Sequence, residues 1–206
     1  MIGRKTAPIM EISLFIFIFC AIQALCISNA NGDQGANLAQ GKSAIEKGDY
    51  KEGVALLAKA VEEGATDAEK NECRTKTLKI LENVITDMFG TDERDADYKG
   101  ILKLVNAALG YDCYKNSELL YHQKGTVYRK KGDFKKAIEE YNNALNIDEK
   151  YYPSRYYLAV SYYKQKEYKK AHVELGKIPE SDPNLGKKAK ENRTFLMENF
   201  GNSINS

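Results

Sequence analysis

The side chains that could carry chemistry in this chain are few and lie far apart. His122 and His172 are the only histidines, and neither has a cysteine or carboxylate at metal-ligand spacing on its own predicted helix face. The sequence also shows no glycine-rich phosphate loop and no nucleophile elbow. We therefore predict no catalytic site, no metal site and no cofactor, and we interpret the histidines as solvated or groove-facing side chains.

An acidic run between Asp92 and Gly100 is faintly similar to a calcium-binding loop. Lys99 stands where a ligand is needed, however, and Asn106 stands where the closing glutamate would be. The simpler interpretation is a polar loop whose aspartates cap the next helix. We therefore expect this segment to position a helix and not to hold an ion.

The most regular feature of the chain is a unit that occurs twice, at residues 121–150 and 155–184, with a period of about 34 residues. Its turn, Gly132-Asp133-Phe134 in the first copy, aligns with Lys166-Glu167-Tyr168 in the second. Two amphipathic helices that matched by chance would not share their turn residues as well. The period is typical of helix–turn–helix solenoids, which act by offering a surface, so the question becomes what the protein binds.

Small and aromatic residues hold matching positions in the two copies. They are Tyr121, Gly125, Tyr128, Ala137, Tyr141 and Ala144 in the first, and Leu158, Ala159, Tyr162, Ala171, Leu175, Ile178 and a closing Pro183 in the second. This pattern resembles the tetratricopeptide repeat family over roughly residues 34–200. Arg155 departs from the aromatic residue that the family has there. The resemblance implies an all-α, right-handed solenoid of helical hairpins with a C-terminal capping helix, and an interaction protein with no enzymatic activity.

The predicted solenoid domain covers residues 31–206, and its repeat pattern divides it. A further copy at 34–67 has Gly53 in place of the usual alanine, and the regular repeats lie at 118–151 and 152–185. Residues 186–200 suit a capping helix, because the last apolar face of a solenoid has no following repeat to cover it. The remaining stretch, 68–117, is predicted to be an irregular hairpin with one long helix over 68–89 and a second that opens at Tyr98.

Residues 1–30 are predicted to be a secretory signal peptide. Arg4 and Lys5 precede an apolar run over residues 12–27, and small residues then lead to a polar segment. This pattern favours cleavage after Ala30. The exported protein would then reach a periplasm, a secretory lumen or the outside of the cell.

The N-terminus has two other interpretations, a retained signal anchor and a lipoprotein. The apolar run would be only about 24 Å long as a helix, which is short for a full membrane span, yet a retained signal anchor stays open. A lipoprotein would need a small residue before the acylated cysteine, and Leu25 precedes Cys26. The sequence therefore favours cleavage over anchoring, and anchoring over lipidation.

The charge balance limits the partners. Loss of the signal would remove Arg4, Lys5 and Glu11 and leave a formal charge near +1 (29 basic minus 28 acidic residues). Such a small excess gives no sequence-wide basic field for nucleic acid or anionic lipid. We expect a protein or peptide partner, no nucleic acid, and membrane attachment only through an uncleaved anchor.

The family resemblance implies which residues face the concave groove, because positions spaced i, i+4 and i+7 on the first helix of each unit point inward. A mixed apolar, aromatic and basic lining suits an extended or helical peptide, and we expect Tyr156 and Arg129 to be partly exposed. The alternative function is a structural subunit or assembly factor of an envelope or secretory complex, which would expose apolar residues on the cap or convex side. The predicted partner-binding residues are Leu38, Lys42, Ile45, His122, Thr126, Arg129, Tyr156, Val160 and Tyr163.

The family's clamp for a C-terminal carboxylate is not supported by the residues at the matching positions. Where the clamp resembles a Lys and an Asn four apart, this chain has Leu38 and Lys42. Either Leu119 and Gln123 or Pro153 and Tyr157 stand where a later Lys and Arg would be. We therefore do not expect recognition of a terminal carboxylate by this route.

Cys73 and Cys113 are the only cysteines left after signal removal, and an exported chain meets an oxidising environment. If the two helices of the irregular hairpin run antiparallel, both cysteines lie about sixteen residues from its turn, at a similar height on neighbouring helices. We therefore predict a disulfide between them. Two separate buried thiols are the alternative.

Overall fold

The computed structural model describes residues 32–90 and 96–205, which form helices joined by short turns. The predicted signal peptide and most of the acidic loop lie outside the described residues. In chain order the helices are α1 (32–46), α2 (Tyr50–Glu62), α3 (Asp67–Phe89), α4 (Tyr98–Leu109), α5 (Glu118–Lys130), α6 (Phe134–Ile147), α7 (Tyr152–Lys164), α8 (Tyr168–Gly176) and α9 (Gly186–Asn205).

The helices form a row of hairpins in which each helix packs on its neighbours in sequence. From α4 onward every helix contacts the next, with α5 against α6, α6 against α7, α7 against α8, and α8 against α9. One buried cluster joins α1 to α5 and another joins α7 to α9, and Tyr141 and Leu158 lie in a smaller cluster between them. The predicted all-α helical-hairpin solenoid is confirmed, as are the long helix over 68–89 and the helix that opens at Tyr98.

The turn between the two helices of a unit has the same geometry each time. Gly48, Gly132 and Lys166 all have positive φ, at 89°, 79° and 64°. At each turn the following residue donates its backbone N–H to a carbonyl five residues earlier, as Asp133 does to Tyr128 and Glu167 to Tyr162. Glycine adopts positive φ without steric cost, whereas Lys166 must bring its Cβ close to backbone.

Small residues bring the two helices of a hairpin into close contact. A Cβ added to Gly125 on α5 would lie 2.8 Å from the ring of Tyr141 on α6. At the first hairpin a Cβ on Gly53 would lie 2.7 Å from the carbonyl oxygen of Gly41 and 2.5 Å from Ile45. The α1 and α2 backbones therefore touch, which explains why Gly53 replaces the usual alanine.

Buried ion pairs also repeat along the solenoid. Glu140 on α6 pairs with Lys124 on α5 at 2.8 Å, and Glu174 on α8 pairs with Arg155 on α7 at 2.6 Å. The two glutamates lie one repeat apart, although their partners come from different positions of the first helix. Arg155 is buried and also donates to the carbonyl oxygen of Glu149 at 2.7 Å, so it ties α7 to α8 and to the preceding loop. This role explains why a charged residue stands where the family has an aromatic one.

The irregular hairpin is held at its ends by side chains that cap helices. Thr66 and Glu69 form a capping box at the start of α3, in which each side chain accepts a backbone N–H of the other residue. Asp97 accepts the backbone N–H of Gly100 at 2.8 Å at the start of α4. The last aspartate of the acidic loop therefore caps a helix, as the simpler interpretation of that loop required.

The predicted disulfide between Cys73 and Cys113 is wrong for this structure, in which both thiols are free. Cys73 lies against α2, where its thiol donates to the carbonyl oxygen of Ala60 at 3.3 Å. The neighbouring residue, Arg74, reaches the turn after α4 and donates to the carbonyl oxygens of Cys113 at 2.6 Å and Asn116 at 3.1 Å. Successive helical residues point in different directions, so the guanidinium meets this turn and the thiol faces away from it.

The burial of these cysteines also acts against oxidation. Burial raises the pKa of the Cys73 thiol and of the Cys113 thiol above its ordinary value. Because the thiolate is the reactive form, both side chains are less reactive than an exposed cysteine. The hairpin is therefore held together by the Arg74 hydrogen bonds and by packing.

The C-terminal helix α9 is longer than the predicted capping helix, and Phe200 interrupts it with φ −134° and ψ 20°. Ala189, Leu196 and Ile204 are buried against α7 and α8, so α9 covers the last apolar face as expected of a cap. Within the described ranges no helix is long and apolar enough to cross a membrane.

Replacement of Lys166 by glycine should stabilise the protein by about 1 kcal/mol, because the positive φ of this turn costs a non-glycine residue roughly that amount. Gly132→Ala, at the same turn one repeat earlier, is the matched control and should destabilise by a similar amount. A Cβ at Gly132 would meet no atom within 4 Å, so its cost is purely conformational. Urea unfolding followed by circular dichroism measures both, and a loss of stability in Lys166→Gly would contradict the strain argument.

Candidate partner-binding groove

The first helices of successive units leave an open cleft at the N-terminal end of the solenoid. This α1–α3 cleft has a volume of about 680 Å³ and is lined by Lys42 and Ile45 of α1 together with Ile80, Val84 and Asp87 of α3. Lys42 is exposed and forms an ion pair with Glu46 at 3.7 Å. The lining is therefore mixed, with an apolar floor and charged groups at the edge.

A second depression lies at the other end, between α7 and α9. This α7–α9 pocket has a volume of about 160 Å³, and its wall is formed by Val160 and Tyr163 of α7 and by Asn192 and Phe195 of α9. Phe195 is 47% exposed, whereas Leu196 at the base is buried. The pocket is thus apolar and open to solvent on one side.

Between these openings, α5, α6 and α7 meet at a buried aromatic cluster around His122. The His122 ring lies 5.4 to 5.9 Å, centroid to centroid, from the rings of Tyr141, Tyr151 and Tyr157. Its Nδ1 is 2.9 Å from the Ser154 hydroxyl, a hydrogen bond that joins α5 to α7. The interpretation of His122 as a solvated or groove-facing residue is therefore wrong, because the following helix covers it.

The electrostatics of this cluster keep His122 neutral. Burial, reinforced by the nearby Arg129 charge, lowers the pKa of His122 to about 4. Burial raises the pKa of Tyr141, with hydrogen bonds from Thr126 and Arg129 acting in the opposite direction. The Arg129 guanidinium lies 4.6 Å from the Tyr157 ring centroid and brings a positive charge to this side of the cluster.

Tyr156 was expected to be partly exposed, and this prediction is wrong, because only 5% of the residue is exposed. Its hydroxyl accepts a hydrogen bond from the Asn192 amide at 2.8 Å, and Lys188 lies 5.2 Å from its ring centroid. Tyr156 is covered because α9 packs beside α7 in the place of a further first helix. It therefore acts as a packing residue that joins the cap to the last repeat.

The predicted groove residues thus fall into separate environments. Lys42 and Ile45 line the α1–α3 cleft, and Val160 and Tyr163 line the α7–α9 pocket. Leu38 packs against the N-terminal core cluster. The others, His122, Thr126, Arg129 and Tyr156, contact aromatic or polar neighbours within the wall.

Sequence reasoning missed the contributions of α3 and α9 to these openings. The repeat pattern of α3 is degenerate, so no register assigned Ile80 or Asp87 to the groove. On α9 the signal was present, because Lys188, Asn192 and Phe195 have the i, i+4, i+7 spacing that marks groove positions on the other first helices. Because this segment was predicted to be a capping helix, these positions were not assigned to the groove.

Two features that could carry chemistry are a cluster of metal-binding side chains and the second histidine, His172. Across the described part of the chain, no group of three or more His, Cys, Asp or Glu residues could hold a metal ion. His172 accepts a hydrogen bond from Arg193 at 3.1 Å and lies on α8, far along the chain from His122. Its environment is that of a surface side chain paired with a cation.

Comparison with known proteins agrees with this architecture. Residues 125–166 match a family model described as the TPR repeat. The resemblance to tetratricopeptide repeat proteins drawn from the sequence is thereby confirmed. Such proteins are protein–protein interaction modules and are typically non-enzymatic scaffolds.

Among solved structures, 26 chains match. The protein is similar to the crystal structure of the P58(IPK) TPR domain, with 17% sequence identity and a TM-score of 0.46. The match covers 80% of this chain, which spans only 45% of the length of that one. Among curated protein sequences no significant match was found.

The stability of the protein should fall between pH 6.5 and pH 4 in a way that depends on His122. In this window the unfolded state binds a proton at His122 and the native state does not, so acidification favours unfolding by up to about 3 kcal/mol. Urea midpoints measured from pH 7 to pH 4 should show a smaller acid loss in His122→Gln than in the parent. His172→Gln is the matched control and should retain most of the loss; equal curves for the parent and His122→Gln would contradict the buried neutral imidazole.

Proposed function

We propose that the protein is an exported interaction module that holds a peptide or a partner helix in the concave groove of its first helices. The observation that carries the proposal is that predicted groove residues line openings at both ends of the row, in the α1–α3 cleft and in the α7–α9 pocket. The wall between them is closely packed, because His122, Tyr141 and Tyr157 form an aromatic cluster. A preorganised groove binds at a lower entropic cost than a mobile one.

The two openings differ in polarity, and this difference supports a ligand with distinct ends. The α1–α3 cleft carries Lys42, Glu46 and Asp87 at its edge and suits polar or charged side chains. The α7–α9 pocket is apolar and suits a side chain that leaves water. A partner that contacts both openings would be held in one orientation, whatever the local direction of its chain in each opening.

A structural subunit of a larger assembly is the second candidate, and the exposed apolar residues give it some support. Val173 on α8 is 49% exposed and Met197 on α9 is 39% exposed, and Ile147 at the end of α6 is also exposed. These positions lie on second helices and on the cap, as an assembly subunit would require. They come from three different helices, and single exposed apolar residues are common on proteins of this kind. The groove therefore remains the better supported surface.

Site-specific photo-cross-linking separates these candidates. A benzophenone amino acid placed at Lys42 or at Tyr163 should cross-link the same partner in the native compartment, because both positions line the groove. The same group at Lys169 or Val173, exposed on α8, is the matched control and should yield no specific adduct. Adducts identified by mass spectrometry only from the α8 positions would contradict groove binding and favour an assembly subunit.

Export is the other half of the proposal and is supported by the charged start, the apolar run and the small residues before Ala30. N-terminal sequencing of the protein recovered from its cells should give a first residue of Asn31. A chain that begins at Met1 and is extracted only with membranes would contradict cleavage and favour the retained anchor.

A further inference from the structure

We infer that the α7–α9 pocket is an anchor site for one large apolar side chain of an extended partner peptide that carries carboxylates on both sides of that anchor. The inference rests on the proposed groove function and names the chemistry of the ligand. It depends on three features of the pocket: its size, its lining and the charges at its ends.

The size and lining of the pocket suit a single apolar group. A volume of about 160 Å³ is close to that of cavities that hold a benzene-sized ligand. Val160, Tyr163 and Phe195 supply the wall, and the buried residues Ala159, Leu175 and Leu196 supply the base. Because Phe195 is 47% exposed here, a ligand side chain that covers it would remove apolar surface from water.

Contacts between α7 and α9 show how the two walls are aligned. Near the start of both helices, Asn192 and Lys188 meet Tyr156 through a hydrogen bond and a cation–π contact. Further along, the rings of Phe195 and Tyr163 lie 6.5 Å apart. The helices therefore run in the same direction, with matching stripes that face each other across the pocket.

The charges beside the pocket are positive at both ends. Lys188 lies one turn before Asn192 on α9, and Lys164 lies one turn after Val160 on α7; both are exposed. Helix α7 contains no acidic residue, and Glu174 on the adjoining α8 is turned inward to Arg155 and Lys177. On α9, Glu191 pairs with Lys187 at 3.9 Å, and Glu198 lines a different depression together with His172 and Arg193. A peptide in the pocket would thus meet ammonium groups before and after its anchor.

The distance between these ends sets the spacing of the ligand. Lys188 marks one end of the pocket, because its ammonium lies over the Tyr156 ring. Lys164 marks the other end. Tyr156 and Lys164 are eight residues apart on α7, which corresponds to roughly 12 Å along the helix. An extended peptide advances by about 3.3 Å per residue, so this length holds about four residues. The favoured ligand therefore has acidic residues about two positions before and two positions after a Phe, Leu, Ile or Met.

Selection from a library of random 12-residue peptides displayed on phage, against the purified protein, tests this inference. Enriched peptides should share an apolar residue flanked by Asp or Glu on both sides. A synthetic copy of the best peptide, labelled with fluorescein, should bind Val160→Glu and Phe195→Ala about tenfold or more weakly than the parent. Val173→Glu, the same substitution on the exposed face of α8, should bind like the parent, and circular dichroism should show that all variants are folded.

The charge requirement is tested on the same peptide. Replacement of its acidic residues by lysine should weaken binding to the parent, and Lys188→Glu should prefer the lysine peptide. Enriched peptides that bind the parent and Val160→Glu equally, or that are basic, would overturn this inference and leave the groove function standing. Failure to enrich any peptide would overturn both, and dimerisation lost in Phe195→Ala would identify a second copy of the chain as the occupant and overturn the peptide ligand.

Discussion

The close approach of paired helices is the constraint on which the rest of this solenoid depends. At Gly125 the absence of a side chain leaves just enough room for the Tyr141 ring, and at Gly41 and Gly53 the two backbones touch. Dispersion contacts weaken steeply with distance, so a separation larger by even a fraction of an ångström would forfeit much of this packing. The same contact places Tyr141 beside His122 and so begins the aromatic wall of the groove.

Buried polar groups complement this packing by fixing which helix faces inward. Glu140 and Glu174, one repeat apart, each form an ion pair with a basic residue on the first helix of the unit. Ser154 on α7 forms a hydrogen bond with His122 on α5. A buried ion pair adds little net stability over an apolar pair of the same shape, but removal of one partner leaves an uncompensated charge. Such pairs therefore penalise any rotation of a helix about its axis, which apolar contacts alone would tolerate.

The sequence predicted the helices and the hairpin order well, because apolar periodicity and turn residues are local signals that survive in the folded chain. Prediction of the groove was less successful for a physical reason. The spacing rule identifies the inward side of an isolated first helix, but whether that side meets water depends on the helix that follows. Tyr156 and His122 obey the rule and are buried, because α9 covers the first and Tyr151 with Tyr157 covers the second. The prediction of a disulfide was wrong for a similar reason. Equal height along two helices does not decide whether Cys73 or its neighbour Arg74 points toward the other helix.

Helix α9 is both the last described helix and one wall of the α7–α9 pocket. This helix has a repeat on one side only, and its chain direction breaks at Phe200, where the ring stacks on Tyr168 at 3.9 Å. A terminal helix frays more readily than an internal one, because fewer contacts must break for it to open. A ligand that touches both α7 and α9 binds only when α9 is packed against α7. By mass action, a higher concentration of this ligand therefore lowers the fraction of molecules in which α9 is open. Susceptibility of α9 (Gly186–Asn205) to proteases would then report occupancy of the groove, even at bonds that the ligand itself does not cover.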